Sequence, residues 1–101
     1  MTQLVKLSGK QLALSLEALN NKLISPWVIN ERPALVKELI FDDFKQAWTF
    51  MTKLALYAES NAHHPEWFNV YNMVVIELTT HDVDGISELD FAFARFVEEA
   101  V

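Results

Sequence analysis

All three histidines of the 101-residue chain fall between positions 63 and 81, as the pair His63-His64 and the single His81. Imidazole is the side chain whose unperturbed pKa, about 6.5, lies nearest neutral pH. Two of them facing one small molecule can therefore work in turn as acid and base. For that they must be neighbours in space. Phe68 to Tyr71 and Met73 to Thr80 read as two strands joined near Asn72, which is nine residues from His63 and nine from His81. Closing that hairpin returns both histidines to one edge of a sheet. Proton transfer in a shared pocket is the chemistry this spacing suggests.

Other assignments compete for the same residues. His63 and His64 follow a long helical segment, where imidazolium can complement the helix dipole and the last carbonyls. Three histidines with Glu59, Asp82 or Asp84 are numerous enough to hold a metal ion, but adjacent histidines rarely bind one ion together. The sequence also has neither a His-x3-His pair nor a His-Glu-x-x-His run. Ser60 and Ser87 lack a nucleophile-elbow context, and there is no cysteine. With Gly9 and Gly85 as the only glycines, neither a phosphate-cradling loop nor a dinucleotide fingerprint can be built. Trp27, Trp67, Phe68 and Tyr71 lie in or beside strands, where they can stack on a flat heterocycle or simply pack on the sheet. Glu59 falls off the apolar stripe of its helix and reads as a solvated charge.

The elements that must position these groups are legible from period and punctuation. Ser8 to Gln11 has capping-box spacing, and Leu12, Leu16, Leu19 and Leu23 recur on one face, which predicts a helix over Gly9 to Asn20. Pro26 ends that region. Trp27-Val28-Ile29 reads as a short strand, Asn30 to Pro33 as a turn, and Leu35 to Phe41 as a second strand completing a hairpin. Asp42 or Asp43 is a natural N-cap for a helix whose stripe is Phe44, Ala47, Trp48, Met51, Leu54, Ala55 and Ala58. Pro65 requires that helix to stop near His63. In the strand after Asn72, Val74, Ile76 and Leu78 alternate with Val75, Glu77 and Thr79, one set facing the core. Ser87 then caps a last helix with Leu89, Phe93, Phe96, Val97 and Ala100 inward, and the stripe aromatics Phe44, Trp48, Phe93 and Phe96 are expected in the core. The prediction is an α+β fold of order α-β-β-α-β-β-α, one four-stranded antiparallel sheet with three helices packed on one face.

Composition narrows the partners. One hundred and one residues suffice for one domain over residues 1–101, and a hydrophobic fraction of 51% with few Gly and Pro excludes low complexity. A formal net charge of −6 with scattered Lys and Arg lacks the footprint of a polyanion-binding protein, so no direct nucleic-acid contact is expected. Met1 to Lys10 has no apolar run of signal-peptide length, and no stretch approaches the ~18 apolar residues of a membrane span. A soluble, cytoplasmic protein without membrane contact is the expectation.

Glu59-Ser60-Asn61-Ala62-His63-His64-Pro65-Glu66-Trp67-Phe68-Asn69-Val70-Tyr71-Asn72, then Thr79-Thr80-His81-Asp82 and Ser87-Glu88-Leu89-Asp90, closely resembles the pterin-4a-carbinolamine dehydratase family. Phe41 to Phe44 with Phe50-Met51 extends the resemblance, and Trp27 extends it weakly. The resemblance implies dehydration of a 4a-hydroxytetrahydropterin to the quinonoid dihydropterin, the tetrahydrobiopterin-recycling step after aromatic amino-acid hydroxylation, with no metal or organic cofactor. It implies His63, His64 and His81 as the catalytic histidines. It further implies a pterin-binding set of Trp27, Glu59, Ala62, His63, His64, Thr79, Thr80, His81 and Asp82. Within that set His63 and His81 are expected to transfer protons and His64 to orient. The chain departs from the pattern at Ala62, where relatives usually carry a small polar or acidic residue, and around Trp27. Family members form homodimers or homotetramers and work in sequence with an aromatic amino-acid hydroxylase. In animals one also stabilises the dimer of a homeodomain transcription factor, so a non-catalytic interaction module, acting as dimerisation cofactor or coactivator, is the alternative role.

Overall fold

The computed structural model describes residues 3–101; Met1 and Thr2, the start of the stretch read for a leader, lie outside the described residues. Helix α1 (Gly9–Asn20) is followed by strands β1 (Val28–Ile29) and β2 (Leu35–Ile40), helix α2 (Phe44–Asn61), strands β3 (Glu66–Val70) and β4 (Met73–Leu78), and helix α3 (Glu88–Ala100). A 3-10 turn at His81–Val83, absent from the sequence reading, lies between β4 and α3. The α-β-β-α-β-β-α order therefore holds.

The four strands form one antiparallel sheet in the order β1-β2-β4-β3. Strand β4 is central because alternation gives it a fully buried face: Val74, Ile76 and Leu78 are sealed against the helices, while Met73, Val75 and Glu77 are only half-buried on the other side. Its register with β2, Leu35 opposite Leu78 and Leu39 opposite Val74, keeps the buried side chains on one face. Helices α2 and α3 pack on that face against β4, and α1 packs against α3. Phe91, Phe93, Ala94 and Val97 of α3 complete one continuous core.

Two local expectations need correction. Ser8 has the extended backbone of an N-cap, but its side chain makes no capping bond, so the capping box proposed for α1 is not formed. Phe44 and Trp48 are 46% and 57% exposed and stack on each other, with ring centroids 6.0 Å apart. The buried stripe of α2 is Ala47, Phe50, Met51, Leu54 and Ala58. At 3.6 residues per turn, Phe44 and Trp48 are turned roughly 60° to 100° from the centre of that stripe, on its shoulder, and Phe50 fills the core position instead.

Candidate active site

Two chain reversals bring the histidines together. Helix α2 ends at Ala62, whose backbone is left-handed (φ 50°) and whose N–H is shared between the carbonyls of Ala58 and Glu59. The N–H of His63 also reaches the Ala58 carbonyl, at 3.1 Å, closing the helix in the manner of a Schellman cap. Pro65 then forces extended backbone, and β3 begins at the next residue. The His63-His64 pair therefore sits in a short corner fixed by the helix on one side and the sheet edge on the other. At the far end of the hairpin, β4 runs into the 3-10 turn that carries His81, held by backbone bonds between Thr80 and Gly85 of 2.7 and 3.3 Å.

Behind His63 lies a carboxylate without solvent contact. Asp90, in the first turn of α3, is 0% exposed, and His63 is 9% exposed. Asp90 Oδ2 accepts from the Ser87 N–H at 2.9 Å and from the Thr80 hydroxyl at 2.7 Å. Its Oδ1 lies 2.7 Å from His63 Nε2. An ionised carboxylate can only accept, so Nε2 is the protonated nitrogen of this pair. The single Thr80 proton goes to Asp90; the Ser87 hydroxyl accordingly donates to Thr80 Oγ1, 2.7 Å away, and accepts from the Leu89 N–H at 3.2 Å. Every donor in this buried chain is thus used in one direction. When His63 is neutral the remaining nitrogen, Nδ1, carries a lone pair, and it has no partner within the described residues. The arrangement holds a ring in one tautomer and accommodates the positive charge that appears when Nδ1 takes a proton.

The other two histidines also face carboxylates, but in water. His64 Nε2 lies 2.8 Å from Glu59 Oε1, and His81 Nε2 lies 3.7 Å from Glu66 Oε2, with all four side chains exposed or nearly half so. Glu66 is itself gripped by Arg32, whose guanidinium also reaches Glu77 Oε1 at 3.0 Å. Hydrogen bonding to Arg32 is the main reason that the Glu66 carboxyl is held below its ordinary range, with smaller contributions from the charges of Arg32 and His81. The two carboxylates in turn raise the already high pKa of Arg32.

His63, His64 and His81 line one cleft of about 320 Å³, together with Ala62, Pro65 and Glu66 from the corner after α2, Thr79, Thr80 and Asp82 from the end of β4, and Leu89 from α3. That volume suits a small molecule. Of the residues the sequence singled out, Glu59 reaches the cleft only through His64. Thr79 and Thr80 form its wall, but their hydroxyls are committed to Pro33, Gly85 and Asp90. Trp27 is not in the wall. It is 1% exposed, its indole N–H donates to Glu98 Oε2 at 2.9 Å, and Lys37 Nζ, bonded to the same oxygen, sits 5.9 Å from its ring. Trp27 thus anchors the end of α3 to the sheet. Among the described residues no group of three His, Asp or Glu side chains converges to hold a metal ion. Sequence reading assigned no role to Asp90 or Glu66. The signal for Asp90 was the Ser87-x-x-Asp90 capping spacing, which is realised as a reciprocal cap. For Glu66, adjacency to the His-His-Pro corner was the only cue.

Comparison with known proteins identifies the family and the fold. A curated relative from Novosphingobium aromaticivorans, named "Putative pterin-4-alpha-carbinolamine dehydratase", is 53% identical over 73 residues, covering 71% of this chain and 76% of its own. A Burkholderia cenocepacia protein of the same name is 52% identical over 69 residues, 68% of each chain. The crystal structure of a protein described as a transcriptional coactivator/pterin dehydratase from Brucella melitensis superposes with a TM-score of 0.86 at 38% identity, covering 95% of this chain and 98% of that one. A pterin dehydratase-like protein described as a RuBisCO assembly factor in the alpha-carboxysome superposes with a TM-score of 0.63 at 25% identity, over 75% of this chain and 87% of that one. The family model for pterin 4 alpha carbinolamine dehydratase matches residues 5–100, nearly the whole chain with both histidine segments, and this protein belongs to that family.

Proposed function

We propose that the protein is a 4a-hydroxytetrahydrobiopterin dehydratase, a hydro-lyase acting by histidine acid–base catalysis. The observation that carries this reading is the cleft in which His63, backed by the buried Asp90, shares a wall with His64 and His81. In the reaction the C4a–O bond breaks and the hydroxyl leaves as water after accepting a proton. The proton on the adjacent ring nitrogen passes to a base, and a carbon–nitrogen double bond forms with no net oxidation. Base and acid must therefore act on neighbouring atoms of one ring. His63 suits the base, because its outward nitrogen is the one left unprotonated. His81 suits the acid, because it faces the same cleft from the end of β4, with the Glu66 carboxylate 3.7 Å from its Nε2. His64, paired with Glu59 at the rim, binds and orients the pterin. Ala62, Thr79, Thr80 and Asp82 shape the cleft around it.

The same reading makes the protein a homodimer or homotetramer that works after an aromatic amino-acid hydroxylase; the exposed Phe68 and Val70, on the sheet face away from the helices, support self-association. The interaction-module role is the second reading, favoured by the exposed Phe44–Trp48 stack and by the coactivator and assembly-factor descriptions of its structural neighbours. The deciding test follows loss of the 4a-carbinolamine absorbance with purified protein in chelator-containing buffer. Decay faster than buffer supports the dehydratase. Decay no faster than buffer leaves the module reading, and activity abolished by chelator returns a metal to the mechanism.

A further inference from the structure

We infer that Glu66 is a positioning residue for His81, and that Arg32, reaching across from the turn between β1 and β2, fixes Glu66 in that role; this rests on the dehydratase reading above. Glu66 opens β3 and stands directly opposite Glu77 of β4 in the antiparallel register. Like charges in that position normally repel and destabilise a sheet. Here one guanidinium spans both carboxylates, while Asn30, from the same turn, donates to Glu77 Oε1 at 3.0 Å. An exposed network of this kind adds little stability in itself. Its product is a carboxylate held ionised and fixed in direction at the rim of the cleft.

The oxygen gripped by Arg32, Oε2, is the one 3.7 Å from His81 Nε2. That is too long for a hydrogen bond and short enough for attraction between charges. The His81 ring is 76% exposed and has no other side-chain partner among the described residues, so Glu66 is the group that restrains its rotation. The charged or titratable groups that share its surroundings are His63 and His64 from the corner after α2, Asp82 beside it, and Arg32 and Glu77 behind Glu66. None of the others combines a fixed negative charge with contact to the ring. Arg32 would thus act on the acid through one intermediary, from a turn that lies outside the cleft wall.

The test uses the full chain and a 4a-hydroxytetrahydropterin. Glu66→Gln is expected to lower kcat about tenfold to a hundredfold with little change in KM, a part of the ~10²–10⁴ that an acid–base catalyst supplies. Glu66→Asp should recover part of the loss, and Arg32→Gln should reproduce it in weaker form. In a His81→Gln background, Glu66→Gln should have no further effect, because its target is gone. Glu38→Gln, which removes an exposed carboxylate elsewhere on the sheet, should leave the rate unchanged. NMR relaxation of the His81 ring should report freer rotation in Glu66→Gln than in wild type, a readout independent of turnover. An active wild type whose rate survives Glu66→Gln, or a loss equally large in the His81→Gln background, overturns the positioning role alone. Unchanged relaxation of the His81 ring also overturns it. A wild type no faster than buffer overturns the dehydratase reading, and the catalytic role of Glu66 with it.

Discussion

Asp90 is tolerated without solvent because the Ser87 N–H, the Thr80 hydroxyl and His63 Nε2–H all donate to it. Replacing it with Asn puts an amide donor where one of those donors already points. Asp90→Asn is therefore expected to destabilise the fold by about 2 to 4 kcal/mol, the range for damage to a buried charge-assisted network. It should also lower kcat about a hundredfold to a thousandfold, because His63 loses the partner that sets its tautomer. Urea unfolding and turnover of the same preparation check both. The histidines themselves were legible in the sequence because imidazole is rare there and its chemistry is specific. Asp90 carried only a local signal, its capping-box spacing from Ser87, since its bond to a residue 27 positions away leaves no trace in the sequence. Trp27 shows a different case: the resemblance implies it at the pterin, and the structure places it outside the cleft wall, buried against Lys37 and Glu98.

The corner between α2 and β3 carries two of the three histidines, and its shape depends on Ala62 in a left-handed conformation. An alanine pays there for its Cβ, whereas glycine would not. Ala62→Gly is expected to stabilise the protein by up to about 1 kcal/mol, the relief of strain being partly offset by the greater freedom of glycine in the unfolded chain. A lower urea midpoint in that variant would show that the alanine methyl packs to more effect than the strain it causes. Helix ends and strand alternation were readable because Asp43, Pro65 and Ser87 act locally, and the realised caps use Asp43 and Ser87. The exposed Phe44 and Trp48 were not, because spacing alone cannot tell the centre of an apolar stripe from its shoulder. The 3-10 turn at His81 has no sequence signature because three residues are too few to show a period.

Across the whole molecule, charge and surface set the behaviour in solution. Glu66 has its pKa lowered in the folded state by Arg32, so the pair's stabilisation is complete above the ordinary carboxylate value of about 4.3 and is lost as pH falls through the lowered folded value. Wild type should accordingly exceed Glu66→Gln in urea midpoint at neutral pH by only a small margin, since the pair is exposed, with the gap closing in acid; a gap that persists in acid would mean that the carboxylate acts through packing instead. The outer sheet face makes a second global prediction: sedimentation velocity should report an oligomer for wild type and a smaller species for Phe68→Glu, whose side chain is 57% exposed on that face. The sheet order was only partly legible, since two hairpins in sequence do not reveal that β2 pairs with β4 and leaves β1 and β3 at the edges. That pairing places the Arg32 turn beside Glu66 and Glu77. The central claim is that His63 and His81 exchange protons with one bound pterin, and it is tested most directly by the decay rate of a 4a-hydroxytetrahydropterin under His63→Ala and His81→Ala. Each is expected to lose about 10²- to 10⁴-fold in kcat while remaining folded, and rates equal to wild type in both would contradict it.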